Sequence, residues 1–227
     1  MLYNKFMIKN KYHHGNLKEE LIDIAFKYIK ENDVESLTLK ILGDSTGTSR
    51  SAIYRHFKSK NDLIETIITK GFEYFDDCVS PALHDNEVPL IDRFYLSGKR
   101  IIKFANENPN LYRLLFGKNY AHIREEIIDL KDENCSGLGA LKTTLEEGQA
   151  LGMIQEGDSY QMAIVIWASL HGLASLIIDG FMDVEKLADE LYDNMFKYLL
   201  NGIVSNKIKF ISSLPFSDRI LPQKLKK

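Results

Sequence analysis

Cysteine is nearly missing from this 227-residue sequence: the two present, Cys78 and Cys135, lie far apart. Neither has ligand-like spacing to the other or to a histidine, so they fit reduced thiols, not a disulfide framework or a zinc site. Long uninterrupted apolar runs are missing too. None reaches the roughly 18 residues a membrane span needs, and Lys5, Lys9 and Lys11 break up the segment where a secretory leader would keep an apolar core. Both absences read as a cytoplasmic chain with no membrane segment. Catalytic patterns are lacking as well. Glycines occur singly, without a phosphate-cradling loop, and no serine sits in a nucleophile elbow. The six histidines, His13, His14, His56, His84, His122 and His171, form no i,i+4 pair and have no cysteine partner. The expectation is no enzyme, no metal and no cofactor.

What is there is ordinary in amount and uneven in placement. Hydrophobic residues make up 44% and charged residues 27%, which suits a globular chain with a buried core. The net charge of −3 would argue weakly against a nucleic-acid partner if it were evenly spread. It is not. Residues 1–60 carry 11 Lys and Arg against 7 Asp and Glu, while the remainder carries 18 against 25. Basic charge is concentrated at the amino-terminal end, where a polyanion would find it.

That end contains the most informative stretch, residues 36–57. Thr38 can cap a short helix bearing Leu39, Ile41 and Leu42. Gly47 can end it, since the residue past a helix often needs positive φ. Ser49 then caps a second helix, Arg50 to His56, whose apolar face is Ala52, Ile53 and Phe57. Arg50, Ser51, Tyr54, Arg55 and His56 are left facing outward, all hydrogen-bond donors. This is the composition of a recognition helix, although an ordinary αα-corner with a basic face would also carry it. Ser59 and Asp62 make a capping pair for the next helix. Upstream, residues 16–32 form an amphipathic helix with Leu17, Leu21, Ile24, Ala25 and Tyr28 on one stripe.

Chemistry assigns roles within this unit. Arg50 at the start of the recognition helix is placed to reach guanine O6 and N7. Tyr54 and His56 suit phosphate or sugar; Thr48, Ser49 and Ser51 are short donors for phosphate. Thr38 and Lys60, at the starts of the flanking helices, would grip the backbone across the groove. Arg55 has an alternative, pairing with an acid inside the domain.

The run Leu37-Thr38-Leu39, Gly47-Thr48-Ser49, Ile53-Tyr54-Arg55-His56-Phe57-Lys58-Ser59-Lys60 and Leu63 resembles the DNA-binding domain of the TetR family of bacterial transcription regulators, across residues 14–68. In that family the matching positions contact DNA, which implies contacts from Thr38, Ser49, Arg50, Ser51, Tyr54, His56 and Lys60. Trp167-x-x-x-His171-Gly172, with Phe104-Ala105, Pro109 and Leu111-Tyr112-Arg113, resembles the carboxy-terminal domain of a TetR subgroup, over about residues 80–200.

The remaining chain reads as helices throughout, with no strand-like alternation. They cover residues 60–77, 90–107, 111–116, 123–130, 141–151, 159–180 and 184–204, and Gly137 and Gly139 loosen the approach to 141. The expected architecture is all-α and TetR-like with about nine helices. Residues 1–75 form a three-helix helix-turn-helix domain with a basic arm at 1–13; residues 76–204 form an effector-binding and dimerisation domain; residues 205–227 form a basic tail. The arm is either a loose terminus or a contact to the DNA backbone or minor groove. Segment 159–180 is apolar on nearly every face and must be covered on all sides, in part by a second subunit. Leu170, Leu173, Ile177, Leu187, Leu191, Met195 and Tyr198 are the expected homodimer face. Phe72, Phe75, Phe104, Tyr112, Phe116, Met153, Trp167 and His171 either pack as core or line a cavity for a hydrophobic or aromatic effector. The function expected is a repressor of a palindromic operator on double-stranded DNA, released by that small molecule. An architectural DNA-binding protein without an effector is the alternative, and an enzyme that kept a DNA domain is a second.

Overall fold

The computed structural model describes residues 17–127, 136–181 and 184–203. The arm 1–13, the tail 205–227, Cys135, His13, His14 and the side chain of Leu187 lie outside the described residues. Among those residues there are ten α-helices, two single turns of 3-10 helix and no strand. The fold is all-α. The described residues divide into two compact units, one of residues 17–74 and 108–127, the other of residues 75–107, 136–181 and 184–203. The division falls between Tyr74 and Phe75, and residues 108–127 group with the first unit.

In the first unit, α1 (Leu17–Glu31) buries Leu21, Ala25 and Ile29 at four-residue spacing, one stripe of an amphipathic helix. A 3-10 turn (Val34–Ser36) leads into α2 (Leu39–Thr46), α3 (Arg50–Tyr54) and the long α4 (Lys60–Val79). Leu63, Ile64, Ile67 and Ile68 of α4 are fully buried together with Leu37, Leu42, Ile53 and Phe57, so the three short elements share one core. α1 and α4 are stitched at their edges by the Lys70–Asp23 ion pair and by Tyr74, which takes a hydrogen bond from Lys30 and the edge of the Phe26 ring. α6 (Pro109–Phe116) packs on α1, and α7 (Ala121–Ile127) follows it. Proline at the first position of α6 costs nothing, because that N–H has no helical partner anyway.

In the second unit, α5 (Leu90–Glu107), α8 (Ser136–Ala150) and α9 (Ser159–Ile178) pack on one another, and α10 (Val184–Ile203) lies against α9. α8 begins five residues earlier than the glycines suggest. Gly139 is buried and Gly137 lies beside Phe75, so packing of this first turn outweighs the cost of about 1 kcal/mol per helical glycine.

α9 is not covered on all sides by its own chain. Ala163, Ile166, Leu170, Leu173, Ala174 and Ile177 are buried, whereas Ile164 (41%), Val165 (59%) and Leu176 (40%) stay open. Leu170, Leu173 and Ile177 are therefore core residues facing inward, and the open face of the helix runs through its other apolar positions. α9 is also long and apolar enough to cross a membrane by length and composition, which a search for unbroken apolar runs overlooks. One side of it packs against α5 and α8.

Candidate nucleic-acid interface

Local hydrogen bonds build the helix-turn-helix as residues 36–57 require. Thr38 has extended backbone, and its Oγ1 accepts from the Ile41 N–H at 3.2 Å, capping α2. Gly47 ends α2 at φ +66°, a conformation that disfavours any side chain. The turn is closed by the Thr48 N–H, which donates to the Gly43 carbonyl at 3.1 Å. A Cβ on Gly43 would sit 3.1 Å from the Thr48 carbonyl oxygen and 3.4 Å from Ile53 Cδ1, so a glycine here lets α2 and α3 approach closely. Ser49 caps α3, its Oγ accepting from the Ala52 N–H at 3.3 Å. Ser59 Oγ accepts from the Asp62 N–H at 3.1 Å, and Asp62 accepts from the Lys58 N–H at 2.8 Å, which fixes the entry into α4.

The caps leave one polar face. Ala52, Ile53 and Phe57 are buried, while Thr38, Ser49, Arg50, Ser51, Tyr54, Arg55, His56 and Lys58 are exposed. α3 ends at Tyr54, and Arg55 and His56 continue as a turn closed by the His56 N–H on the Ile53 carbonyl at 2.9 Å. No ion pair holds Arg55 to an acid among the described residues. Ser49 and Ser51 share a hydroxyl hydrogen bond at 2.9 Å. Thr48 is half-buried, its hydroxyl bonded to that of Thr46 at 2.6 Å.

Two arrangements were not anticipated. Lys60 is folded back, its Nζ donating to the carbonyls of Val34 at 3.1 Å and Glu35 at 3.0 Å, and burial lowers its pKa against the opposing pull of the Glu35 carboxylate. This contact closes a loop of some 25 residues, and no local pattern announces it. Arg50 Nη2 donates to Tyr54 Oη at 3.1 Å, with the guanidinium 5.4 Å from the centre of the tyrosine ring. Here the signal was present, since the two residues are four apart on one helix.

The candidate effector residues fall into separate groups. In the first unit Phe116 packs edge-on to Phe72, centroids 5.5 Å apart, and against Tyr112 at 4.7 Å. In the second unit Phe75 meets Phe104 at 5.1 Å and Trp167 at 6.2 Å, both edge-on, and Trp167 stacks on His171 at 5.7 Å. Met153 lies half-buried in the turn after α8. A shallow groove of about 610 Å³ on the first unit is lined by Glu19, Ile22, Asp23, Asp62, Glu65, Thr66, Thr69, Lys70 and Glu73, and holds none of the candidate effector residues. Among the described residues no cluster of His, Cys, Asp and Glu has a metal-binding arrangement. Of the candidate dimer residues, Tyr198 is 71% exposed, and Leu191 and Met195 are half-buried.

A capped, donor-rich short helix on a three-helix core, followed by a second helical unit, defines a helix-turn-helix DNA-binding regulator. Residues 21–67 match the domain described as bacterial regulatory proteins, tetR family, and residues 96–199 match the tetracyclin repressor-like carboxy-terminal domain. The chain belongs to the TetR family and is a DNA-binding transcription regulator. It is similar to the nucleoid occlusion factor SlmA of Vibrio cholerae serotype O1, 26% identical over 149 residues, 64% of this chain and 72% of that protein. The SlmA of Shewanella amazonensis is 24% identical over 156 residues, 67% and 76% of the two chains. Among solved structures, a protein of unknown function from Rhodococcus sp. RHA1 superposes with a TM-score of 0.71 at 24% identity, covering 87% of this chain and 100% of that one. SmeT, the repressor of the Stenotrophomonas maltophilia multidrug efflux pump SmeDEF, does so with a TM-score of 0.63 at 17% identity, covering 87% and 94%. At these identities the superpositions speak to the fold.

Proposed function

We propose that the chain works in the cytoplasm as a homodimeric repressor, binding a palindromic operator and leaving it when a small hydrophobic or aromatic effector binds. The observation that carries this reading is the pairing of one donor-rich recognition face with an apolar face left open on α9. A single α3 of five residues reads too little DNA to be selective, and two copies related by a two-fold axis read two half-sites about 34–36 Å apart. Ile164, Val165 and Leu176 on α9, and Tyr198 on α10, are exposed apolar side chains that offer the second copy its contact.

On the DNA side, Arg50 reads a base edge, while Thr38, Thr48, Ser49, Ser51, Tyr54 and His56 contact phosphates. Lys60 has three N–H donors and gives two to the Val34 and Glu35 carbonyls, so one is left for a phosphate. The effector site is assigned to the second unit, around Phe75, Phe104, Trp167 and His171, whose rings suit a flat apolar molecule. Phe75 stands on α4, the helix that begins beside the recognition helix, and a ligand acts only if it favours the geometry that does not bind DNA. Footprinting on the chain's own promoter, with and without compounds that raise its melting temperature, tests the reading. A two-fold symmetric footprint that such a compound abolishes supports it, and an asymmetric or absent footprint refutes it.

A second reading is an effector-independent architectural protein that binds many chromosomal sites. It is favoured by the name shared by the SlmA relatives, nucleoid occlusion factor. A genome-wide binding profile separates the two: a few promoter sites for the repressor, many sites spread along the chromosome for the architectural protein.

A further inference from the structure

The contact between Arg50 and Tyr54 has a consequence for how the sequence of DNA is read. Both side chains are exposed and stand one helical turn apart on α3. Arg50 Nη2 donates to Tyr54 Oη at 3.1 Å, and the guanidinium carbon lies 5.4 Å from the centre of the same ring. The tyrosine thus offers two attractions at once, a hydroxyl acceptor and a π face. An arginine side chain is rich in rotamers, and a free one at the head of a recognition helix would spread that freedom over nearby phosphates. Held by Tyr54, it spends one of its five N–H donors within the protein and keeps the remainder for the duplex.

The hydroxyl has a direction as well. Its oxygen accepts from Arg50, so its own proton is free to be donated outward. On DNA, roughly half to two-thirds of a protein's hydrogen bonds go to phosphate and sugar oxygens. We propose that Tyr54 is a positioning residue for Arg50: its hydroxyl bridges the guanidinium to a phosphate and fixes the fork in register with one base edge. Backbone contact and base reading are then a single unit, and sequence preference at that base depends on a residue that touches no base. This rests on the DNA-contact reading of α3 given above.

The test uses the full-length chain and a duplex that it selects from a random pool. Binding is measured on that duplex, on its single-base variants and on an unrelated duplex, for the wild type, Tyr54→Phe, Arg50→Ala and the double variant. Phenylalanine keeps the ring and removes the hydroxyl. Because a hydrogen bond to a charged group is worth about tenfold in affinity or more, Tyr54→Phe is expected to bind the selected duplex about tenfold more weakly. On unrelated DNA the loss is smaller, since only one phosphate contact goes and there is no base register to lose. Preference flattens at the same base position that Arg50→Ala flattens, and adding Tyr54→Phe to Arg50→Ala costs no more than about twofold further. Arg50→Lys keeps the charge without the fork; it should lose the same preference while holding unrelated DNA.

Equal losses on selected and unrelated DNA overturn the proposal. So does a full tenfold loss from Tyr54→Phe in the Arg50→Ala background, which makes Tyr54 an independent phosphate contact. If Arg50→Ala flattens a position and Tyr54→Phe does not, only the bridge fails and the interface stands. If Arg50→Ala flattens none, the base-reading role of Arg50 fails with it.

Discussion

A methyl group added at Gly98 tests the core of the second unit. Gly98 on α5 faces Tyr192 on α10, which is 2% exposed and donates from its hydroxyl to the Tyr95 carbonyl at 2.6 Å. A Cβ at Gly98 would fall well inside contact with Tyr192 Oη, and 3.1 Å from both Tyr192 Cε2 and Leu170 Cδ2. The ring has little room to move, since Tyr95 lies 5.2 Å away and Phe196 stacks at 6.3 Å. Overpacking costs about 1–3 kcal/mol, and a buried hydroxyl pushed off its acceptor about 1–3 kcal/mol more. The better helix propensity of alanine returns up to about 1 kcal/mol. Gly98→Ala should therefore lose about 3 kcal/mol, a fall of about 6–12 °C in Tm for a chain of this length. Thermal unfolding followed by circular dichroism, at one fixed protein concentration so that dimerisation does not shift the midpoint, measures it. Tyr192→Phe alone should cost about 1 kcal/mol, and the double variant should be more stable than Gly98→Ala, because the clashing oxygen is gone. A double variant no better than the sum of its parts would refute the geometry.

Charge at the open face of α9 should separate assembly from folding: Val165→Asp is expected to sediment as a monomer at micromolar concentration, keep its helical spectrum and lose operator binding, whereas Leu170→Asp should unfold. Thr38→Ala and Ser49→Ala each remove a cap and should cost about 1 kcal/mol of stability, and they should weaken DNA binding by more than the unfolded fraction explains if the hydroxyls also touch phosphate. Affinity for any duplex should fall steeply with salt, and Lys58→Ala should reduce the slope of log K on log salt by about 1 if it neutralises one phosphate. Burial, with Asp193 adding, pushes the Tyr95 hydroxyl up to about 12. Its neutral form is favoured in the folded state, so its contribution is full below the unfolded value of about 10 and is lost as pH rises toward 12. Tyr95→Phe should make the fall of stability across that window shallower without abolishing it, since burial also raises the Tyr112 and Tyr192 hydroxyls, in an alkaline titration followed by circular dichroism.

The helix-turn-helix was legible because everything that makes it is local. Thr38, Gly47, Ser49 and Ser59 act within four residues of themselves, and their caps and the turn lie where the residue types require. Helix α5 shows the same, running from Leu90 to Glu107 between two prolines. What the sequence conceals is facing. Lys60 has the composition and position of a phosphate contact, yet two of its donors are taken by carbonyls that only the folded chain brings near. α8 begins at Ser136 because packing overrides two glycines that locally argue against helix.

The sharpest case is α9. With nearly every position apolar, its sequence has no stripe, and no periodicity separates the face turned to its own core from the face left open. Leu170, Leu173 and Ile177 look as suitable for a dimer contact as Ile164, Val165 and Leu176. Only the placement of α5 and α8 divides them, by covering the first three and leaving the others open. An amphipathic helix announces its own burial, whereas a uniformly apolar one states only that every side needs cover. That is why charge at Val165 and charge at Leu170, nearly equivalent substitutions on paper, should end in a folded monomer and an unfolded chain.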